Sequence, residues 1–452
     1  MKKIRILAIG ILIVGIQSCA EFLDSKPNRN LVIPESLDDF QQMLDAETRG
    51  LNTYYINGLF SSDDIYFSEG LLNLLSFSQT AHYFWEPEPY LPDEWDAGFA
   101  TSYRKVLYAN LVLEGLEDYE PENEVEQNRV LELESSARFY RALGHYEVLM
   151  HFAPPFDPNQ ANQPGIPIRL SSDINIKNGR STMRECFDQI IEDLEFGLDY
   201  LPSQSEIPTR PSLWASNAFL GRIYLNMLDY EKAYRYSKAA LDIDDSLMDF
   251  KEIETDLPYS FEIFNEEVIF YQRHLTSRHT TNGGAFVNPE LVELYDSMDL
   301  RRTYFLLPSS EEGLFNFRGN YTGDFYHFGG FAVDEVVLNL AESAYRIGQE
   351  SEALNHLNDL LENRYDEGFE PLVDLSGMEL LEKIIEERRK ELVFRGLRWL
   401  DLKRLNLYPE LAVTLNRSFN ERQENLPPND PRYAFLIPPA EINLNPMEQN
   451  RR

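Results

Sequence analysis

The plainest regularity in the chain begins at Trp214, where Trp214, Ala218, Gly221, Leu225 and Leu228 recur at steps of four and three. That spacing puts them on one face of a helix. A turn at Leu228-Asp229-Tyr230 follows, and Ala233, Tyr236 and Ala240 mark the face of a second helix. Leu220-Gly221, Tyr224, Ala233 and Ala240 fall where the tetratricopeptide pattern wants Leu-Gly, Tyr, Ala and Ala, with Asn217 and Ser237 replacing its Trp and Phe. Small residues let the two helices approach closely, and the apolar face left over must be covered by a neighbouring pair.

Such neighbours are present. Asp334 to Ile347, a turn at Gly348-Gln349 and Glu352 to Arg364 form another helical hairpin, with Leu340-Ala341, Ala353 and Leu360 in compatible places. Upstream, Trp95 to Leu116 and Val125 to Phe152 read as a longer pair, with Tyr103, Ala109, Ala137, Tyr140 and Gly144 on the contact faces. Thr182 to Leu201 starts from Ser181 or Thr182 as N-cap and stops at Pro202. The expected fold is therefore mainly α: a tetratricopeptide-like helical-hairpin solenoid with long irregular loops, its pairs at about 93–152, 181–243 and 333–364. The aromatic stripes read as core packing.

The segments between the pairs lack a helical period. Residues 53–92 hold Tyr54, Tyr55, Tyr83, Trp85 and Tyr90 among Asp, Ser, Asn and Pro, while 276–288 and 308–331 are rich in Gly, Asn, Thr and aromatics. Loops on a rigid scaffold are where recognition residues are mounted, so these are the candidate binding surface.

The N-terminus changes the picture of where the scaffold works. Lys2, Lys3 and Arg5 precede an unbroken apolar run from Ile6 to Ile16, and Ile16-Gln17-Ser18-Cys19 resembles a bacterial lipobox, although Gln17 departs from the small residue usual at its position. The run is 11 residues long, against roughly 20 for a membrane-spanning helix. Residues 1–18 are expected to be a lipoprotein signal peptide, with Cys19 lipidated and 19–452 a single domain; a plainly secreted protein is the other reading. Cys186 is then the one thiol left and reads as a small buried filler in a helix start. No metal site is expected: the seven histidines show no ligand spacing, and His145 lies within a helical aromatic stretch. The net charge is −35, and −38 once the three basic groups before Cys19 are removed. Such a surface repels phosphate backbones and argues against nucleic acid.

The C-terminal helix reads Ile385-Glu386-Glu387-Arg388-Arg389-Lys390-Glu391-Leu392 and then Phe394-Arg395-Gly396-Leu397-Arg398-Trp399-Leu400-Asp401-Leu402-Lys403-Arg404; the chain closes with Phe435-Leu436-Ile437-Pro438-Pro439 and Asn445-Pro446. Both resemble the C-terminal hallmarks of the SusD/RagB family of Bacteroidota outer-membrane lipoproteins, over about 378–452. Asp63-Asp64, Trp95 with Tyr103 and Asn110, Ala137-Arg138-Phe139-Tyr140-Arg141-Ala142, Asn288-Pro289-Glu290-Leu291 with Asp299-Leu300-Arg301-Arg302, and Ala341-Glu342 are similar to further family segments in the family's order. Arg395-Gly396-Leu397 departs from the more usual Glu-Gly-His.

The resemblance implies a cell-surface lipoprotein anchored in the outer membrane, which captures a nutrient for a SusC/RagA-type, TonB-dependent transporter. A glycan is the expected ligand, with a peptide as the alternative and no cofactor. An aromatic face suits the apolar face of a sugar ring while Asp, Asn and Arg bond its hydroxyls. Trp85 with Tyr83 and Tyr90 is the expected stacking platform, Asn320 and Tyr321 are expected in the later loop, and Tyr54 and Tyr55 are weaker candidates. Packing under the loops is the competing use of these rings. Trp95 and Trp399 fall at family framework positions and are expected in the core, and Asp63-Asp64 as framework caps, with cation binding as the alternative. Opposite charges three and four apart in Glu386 to Glu391 are expected to support one another along the helix, with another element as a further facing partner. A carboxylate-dependent glycoside hydrolase is the rival class, but no G-x-S-x-G, H-E-x-x-H, phosphate-cradling loop or Cys–His candidate accompanies it, so no enzyme is expected.

Overall fold

The predicted helical pairs form, and they stack in chain order. The computed structural model describes residues 34–46, 50–54, 57–253, 258–274 and 283–452, so the signal peptide, Cys19 and Tyr55 lie outside the described residues. Leu37–Asp45 (α1) lies against the first long pair, Ala97–Glu117 (α2) and Glu124–Phe152 (α3). Met183–Gly197 (α4), Leu213–Asn226 (α5), Tyr230–Leu241 (α6), Val333–Arg346 (α7) and Glu350–Glu362 (α8) continue the array, each packing on the one before. Gly377–Glu391 (α9) and Arg398–Leu405 (α10) close it. Residues 242–332 intervene between α6 and α7 in the chain, yet those helices pack directly together.

Local chemistry accounts for the starts and the close contacts. Thr182 caps α4 reciprocally with Glu185, while Asp96, Asn123, Ser212 and Asp229 each accept a backbone N–H from the first turn of α2, α3, α5 and α6. A Cβ on Gly144 would stand 2.5 Å from the Ser102 carbonyl oxygen, and one on Gly221 would stand 2.6 Å from Ser237 Oγ. Small residues thus set both helix spacings, and Ser237 is the smaller replacement that lets α6 reach Gly221. Cys186 is fully buried beside Gly165 and Ile166, with its thiol pushed up to about 12 by burial.

The intervening chain packs with residues 59–84 into a second aromatic core that includes Phe60, Phe67, Phe250, Phe261, Phe305 and Phe328. Short strand pairs frame it. Thr53–Tyr54 (β1) runs parallel to Arg273–His274 (β4), and Ile65–Phe67 (β2) pairs antiparallel with Ala285–Val287 (β5). Val268–Phe270 (β3) pairs antiparallel with Phe331–Ala332 (β8), and Leu306–Pro308 (β6) with Phe315–Phe317 (β7). Leu415–Phe419 (β9) and Arg422–Leu426 (β10) make a hairpin.

The charge run on α9 does more than support its own helix: Glu387, Arg388, Lys390 and Glu391 are buried and reach across the chain. Arg301 meets Asp299 at 2.7 Å, Glu387 at 2.5 Å and Glu391 at 2.9 Å. Arg364 joins Glu391 at 2.8 Å to Glu267 at 2.7 Å, and Lys390 meets Asp299 at 2.7 Å. Alternating signs satisfy every member, so the cluster ties the inserted half to α8 and α9. Asp63 serves the framework by ion pairing and not as the cap expected: Arg398 holds both its oxygens, at 2.7 and 2.9 Å, and Arg389 approaches to 3.0 Å.

Candidate ligand-binding surface

The rings expected to stack on a ligand stack on the protein instead. Arg417, projecting from β9, lies 3.7 Å from the ring centre of Tyr83 and 4.6 Å from that of Trp85, and donates to the carbonyls of Phe60, Ser62 and Tyr83. The Trp85 indole N–H donates to the Ser61 carbonyl at 2.9 Å, which leaves the ring 4% exposed. Tyr90 is buried edge-on to His82, its hydroxyl 3.3 Å from Asp96. Tyr54 is buried between His151 and His274.

In the later loop, Tyr321 is buried with its hydroxyl donating to Glu267 at 2.9 Å, and the Arg395 guanidinium covers its ring at 4.3 Å. Asn320 is buried, accepting from His327 Nδ1 at 2.9 Å. Arg417 and Arg395 come from far along the chain, and no periodicity within the loops announces them. Cation–π contact and carbonyl acceptors make each loop a packed unit, not an open platform.

The same later loop nevertheless presents a different aromatic pair. Phe325 is 46% exposed and packs against Tyr326 with ring centres 4.4 Å apart, while Arg273 lies 4.7 Å from the Tyr326 ring centre. Local bonds hold the tip. Asp324 accepts the Tyr326 N–H at 2.7 Å, Thr322 Oγ1 donates to the Tyr326 carbonyl at 2.6 Å, and Gly323 turns the chain at φ +69°. A Cβ at Gly323 would stand 3.1 Å from the backbone nitrogen of Ile263. Ile263 and Phe264 on that adjoining turn are also exposed, and Phe264 packs edge-on to Tyr271. Beneath the tip, His274 N–H donates to the His327 carbonyl at 2.8 Å and Gly329 N–H to Gln272 at 2.9 Å, fixing the loop to β4. Two ring faces with an arginine and an aspartate beside them can take an apolar ligand face and its edge hydroxyls together. The aromatic and Gly content of 308–331 pointed to this loop; only packing distinguishes Tyr321 from Phe325.

Trp95 overturns its expected place in the core. It precedes the N-cap Asp96 instead of lying within α2, and it is 64% exposed on the rim of a groove of about 410 Å³ between α2 and residues 438–445. Trp399 is fully buried against Tyr433 and Phe435, as expected.

Asp64 is pushed up to about 7 by burial, with the Asp63 charge adding to it, but its carboxylate is enclosed beside Arg389. No group of three His, Cys, Asp or Glu among the described residues could hold a metal ion. His145 is buried, its Nε2 accepting from the Arg169 N–H.

Comparison with known proteins agrees with this architecture. Residues 21–225 match a family described as "Starch-binding associating with outer membrane", and residues 334–451 match the SusD family. The chain is similar to a SusD-like protein of Formosa agariphila, 24% identical over 390 residues, covering 68% of this chain and 75% of the relative. It superposes on a SusD superfamily protein of Bacteroides thetaiotaomicron with TM-score 0.75 and 22% identity, covering 92% of this chain and 100% of the other. A putative sugar binding protein of Bacteroides vulgatus gives TM-score 0.73 and 20% identity, covering 93% and 99%. Family matches at both ends of the chain and a shared fold along its length identify it as a member of the SusD family.

Proposed function

We propose that the protein captures a glycan at the cell surface and passes it to a SusC/RagA-type, TonB-dependent transporter in the outer membrane. The observation that carries the reading is the exposed Phe325 packed on the half-buried Tyr326, with Arg273 beside them, on a loop braced against a helical stack. Membership of the SusD family and the sugar-binding description of a structural relative support it. Cys19, with its acyl chains, is the proposed anchor; two or more chains hold a protein on a bilayer durably where one does not. Among the described residues no helix is long and apolar enough to cross a membrane.

The role is binding without turnover. Calorimetric titration with a panel of polysaccharides, run beside an assay for released sugars, tests it. Saturable binding with intact polymer is expected, and release of shorter products from the bound polymer defeats the reading. Phe325→Ala and Tyr326→Ala are each expected to weaken binding. Co-purification with the transporter from outer membranes, and labelling of wild-type but not Cys19→Ala protein with palmitate, test delivery and anchoring.

A further inference from the structure

A cavity of about 680 Å³ lies where the chain leaving α3 meets α10 and the C-terminal residues 448–451. None of the rings of the loop platform lines it. On its wall Lys403 is buried, its Nζ donating to the carbonyls of Met150 and Ala153 at the C-terminal end of α3. Those contacts cap the helix and use two of the three N–H groups of an ammonium. No carboxylate among the described residues pairs with it.

That absence is unusual in this molecule, whose 76 acidic residues face 41 basic ones. Apart from Lys403 and Arg417, every buried lysine or arginine among the described residues sits against a carboxylate. Arg417 is covered by Tyr83 and Trp85; Lys403 has no ring over it. Arg180, also on the wall, directs its guanidinium to the carbonyls of Pro164, Gly165 and Glu448. Two of the wall's acids are engaged locally: Asp430 holds Arg432, and Asp157 accepts from Asn159 and Gln160. Asn406 Nδ2 faces the Tyr433 hydroxyl on the buried wall, and neither atom has a partner beyond the other. Burial alone pushes Lys403 down to about 7, the signature of an ammonium without an anion.

We propose that this cavity is a second ligand site, which takes the carboxylate of an acidic sugar unit, with Lys403 as its charge partner and Asn406 and Tyr433 as further hydrogen-bond groups. The remaining wall suits a hydroxylated ring. Gln160, Asn429 and Gln449 can each donate and accept, and Pro154 and Pro431 offer small apolar faces. The volume falls in the range of about 300–1,000 Å³ usual for small-ligand sites. This assignment rests on the glycan reading above and narrows it to an acidic sugar.

Calorimetric titration of the purified protein with trigalacturonic acid and with its methyl ester, in two buffers of different ionisation enthalpy at pH 7.5, tests the site. The acid should bind at least about tenfold more tightly than the ester, with proton uptake as its carboxylate restores the Lys403 charge. Lys403→Met should abolish both the preference and the uptake. Equal binding of acid and ester, or binding without uptake, overturns the proposal. Should Lys403→Met fail to fold, the proton count on unsubstituted protein decides alone. A tripeptide that binds more tightly than the acid with the same uptake overturns the sugar assignment. Neutral polysaccharide binding that is lost in Tyr326→Ala belongs to the loop platform, so the two readings fail separately.

Discussion

In the helical stack Gly221 sits against Ser237, while in the inserted half Arg301 is held by Asp299, Glu387 and Glu391. Both arrangements are buried, but the first relies on shape and the second on charge brought from the distant helix α9. The stack tolerates little added volume, and the inserted half tolerates little loss of charge. That difference can be broken experimentally from both sides.

The largest effect expected is on acid stability. Burial pushes His82, His145, His151 and His274 down to about 3, whereas an unfolded imidazole titrates near 6.5. Below pH 6.5 the unfolded chain binds protons that the folded chain refuses, so stability falls as the pH drops from 6.5 towards 3. Each histidine contributes about 1.4 kcal/mol per pH unit in that window. Asp63 and Glu387, held below the usual carboxylate range by neighbouring cations, add loss in the same direction below about pH 4. Urea midpoints at pH 7, 6 and 5 check this, and a flat profile refutes it.

Next in size is Arg301→Met, which leaves Asp299, Glu387 and Glu391 crowded without their shared cation. A loss of about 3–5 kcal/mol is expected in urea unfolding. Gly144→Ala, whose new methyl meets a backbone oxygen, should cost about 1–3 kcal/mol. Gly221→Ala should cost less, because the Ser237 hydroxyl it meets can rotate away; the reverse order would refute the packing argument. Tyr326→Ala should reduce glycan affinity by about 1–3 kcal/mol, taking stacking on nucleobases as the guide. Trp95→Ala is the smallest, within about 0.5 kcal/mol of wild-type stability. A loss typical of a core tryptophan would return Trp95 to the interior.

The helix pairs were legible because their information is local. A period near 3.6, an N-cap at Thr182 and small residues such as Gly144 and Gly221 all act within a few turns. The same reading identified the loop that carries Phe325 and Tyr326 but chose Tyr321 and Asn320 within it. Tyr321 is covered by Arg395 and bonded to Glu267, which lie far away in sequence. Trp85 failed as a platform for the same reason, through Arg417. Trp95 failed differently: its core place is inferred from a family framework position, but α2 begins after it, at Ala97. The run from Glu386 to Glu391 could be placed on a helix, whereas its partners Asp299, Arg301 and Arg364 could not be read from it.

Because α6 and α7 touch, residues 242–332 leave the spine and return to nearly the spot they left. Their length is then a problem of closing a loop whose ends are already together, and doubling such a loop costs only about 0.6 kcal/mol. The spine can therefore stay constant while the excursion that carries Phe325 and Tyr326 lengthens, shortens or changes composition, leaving the proposed ligand-facing part free to diversify.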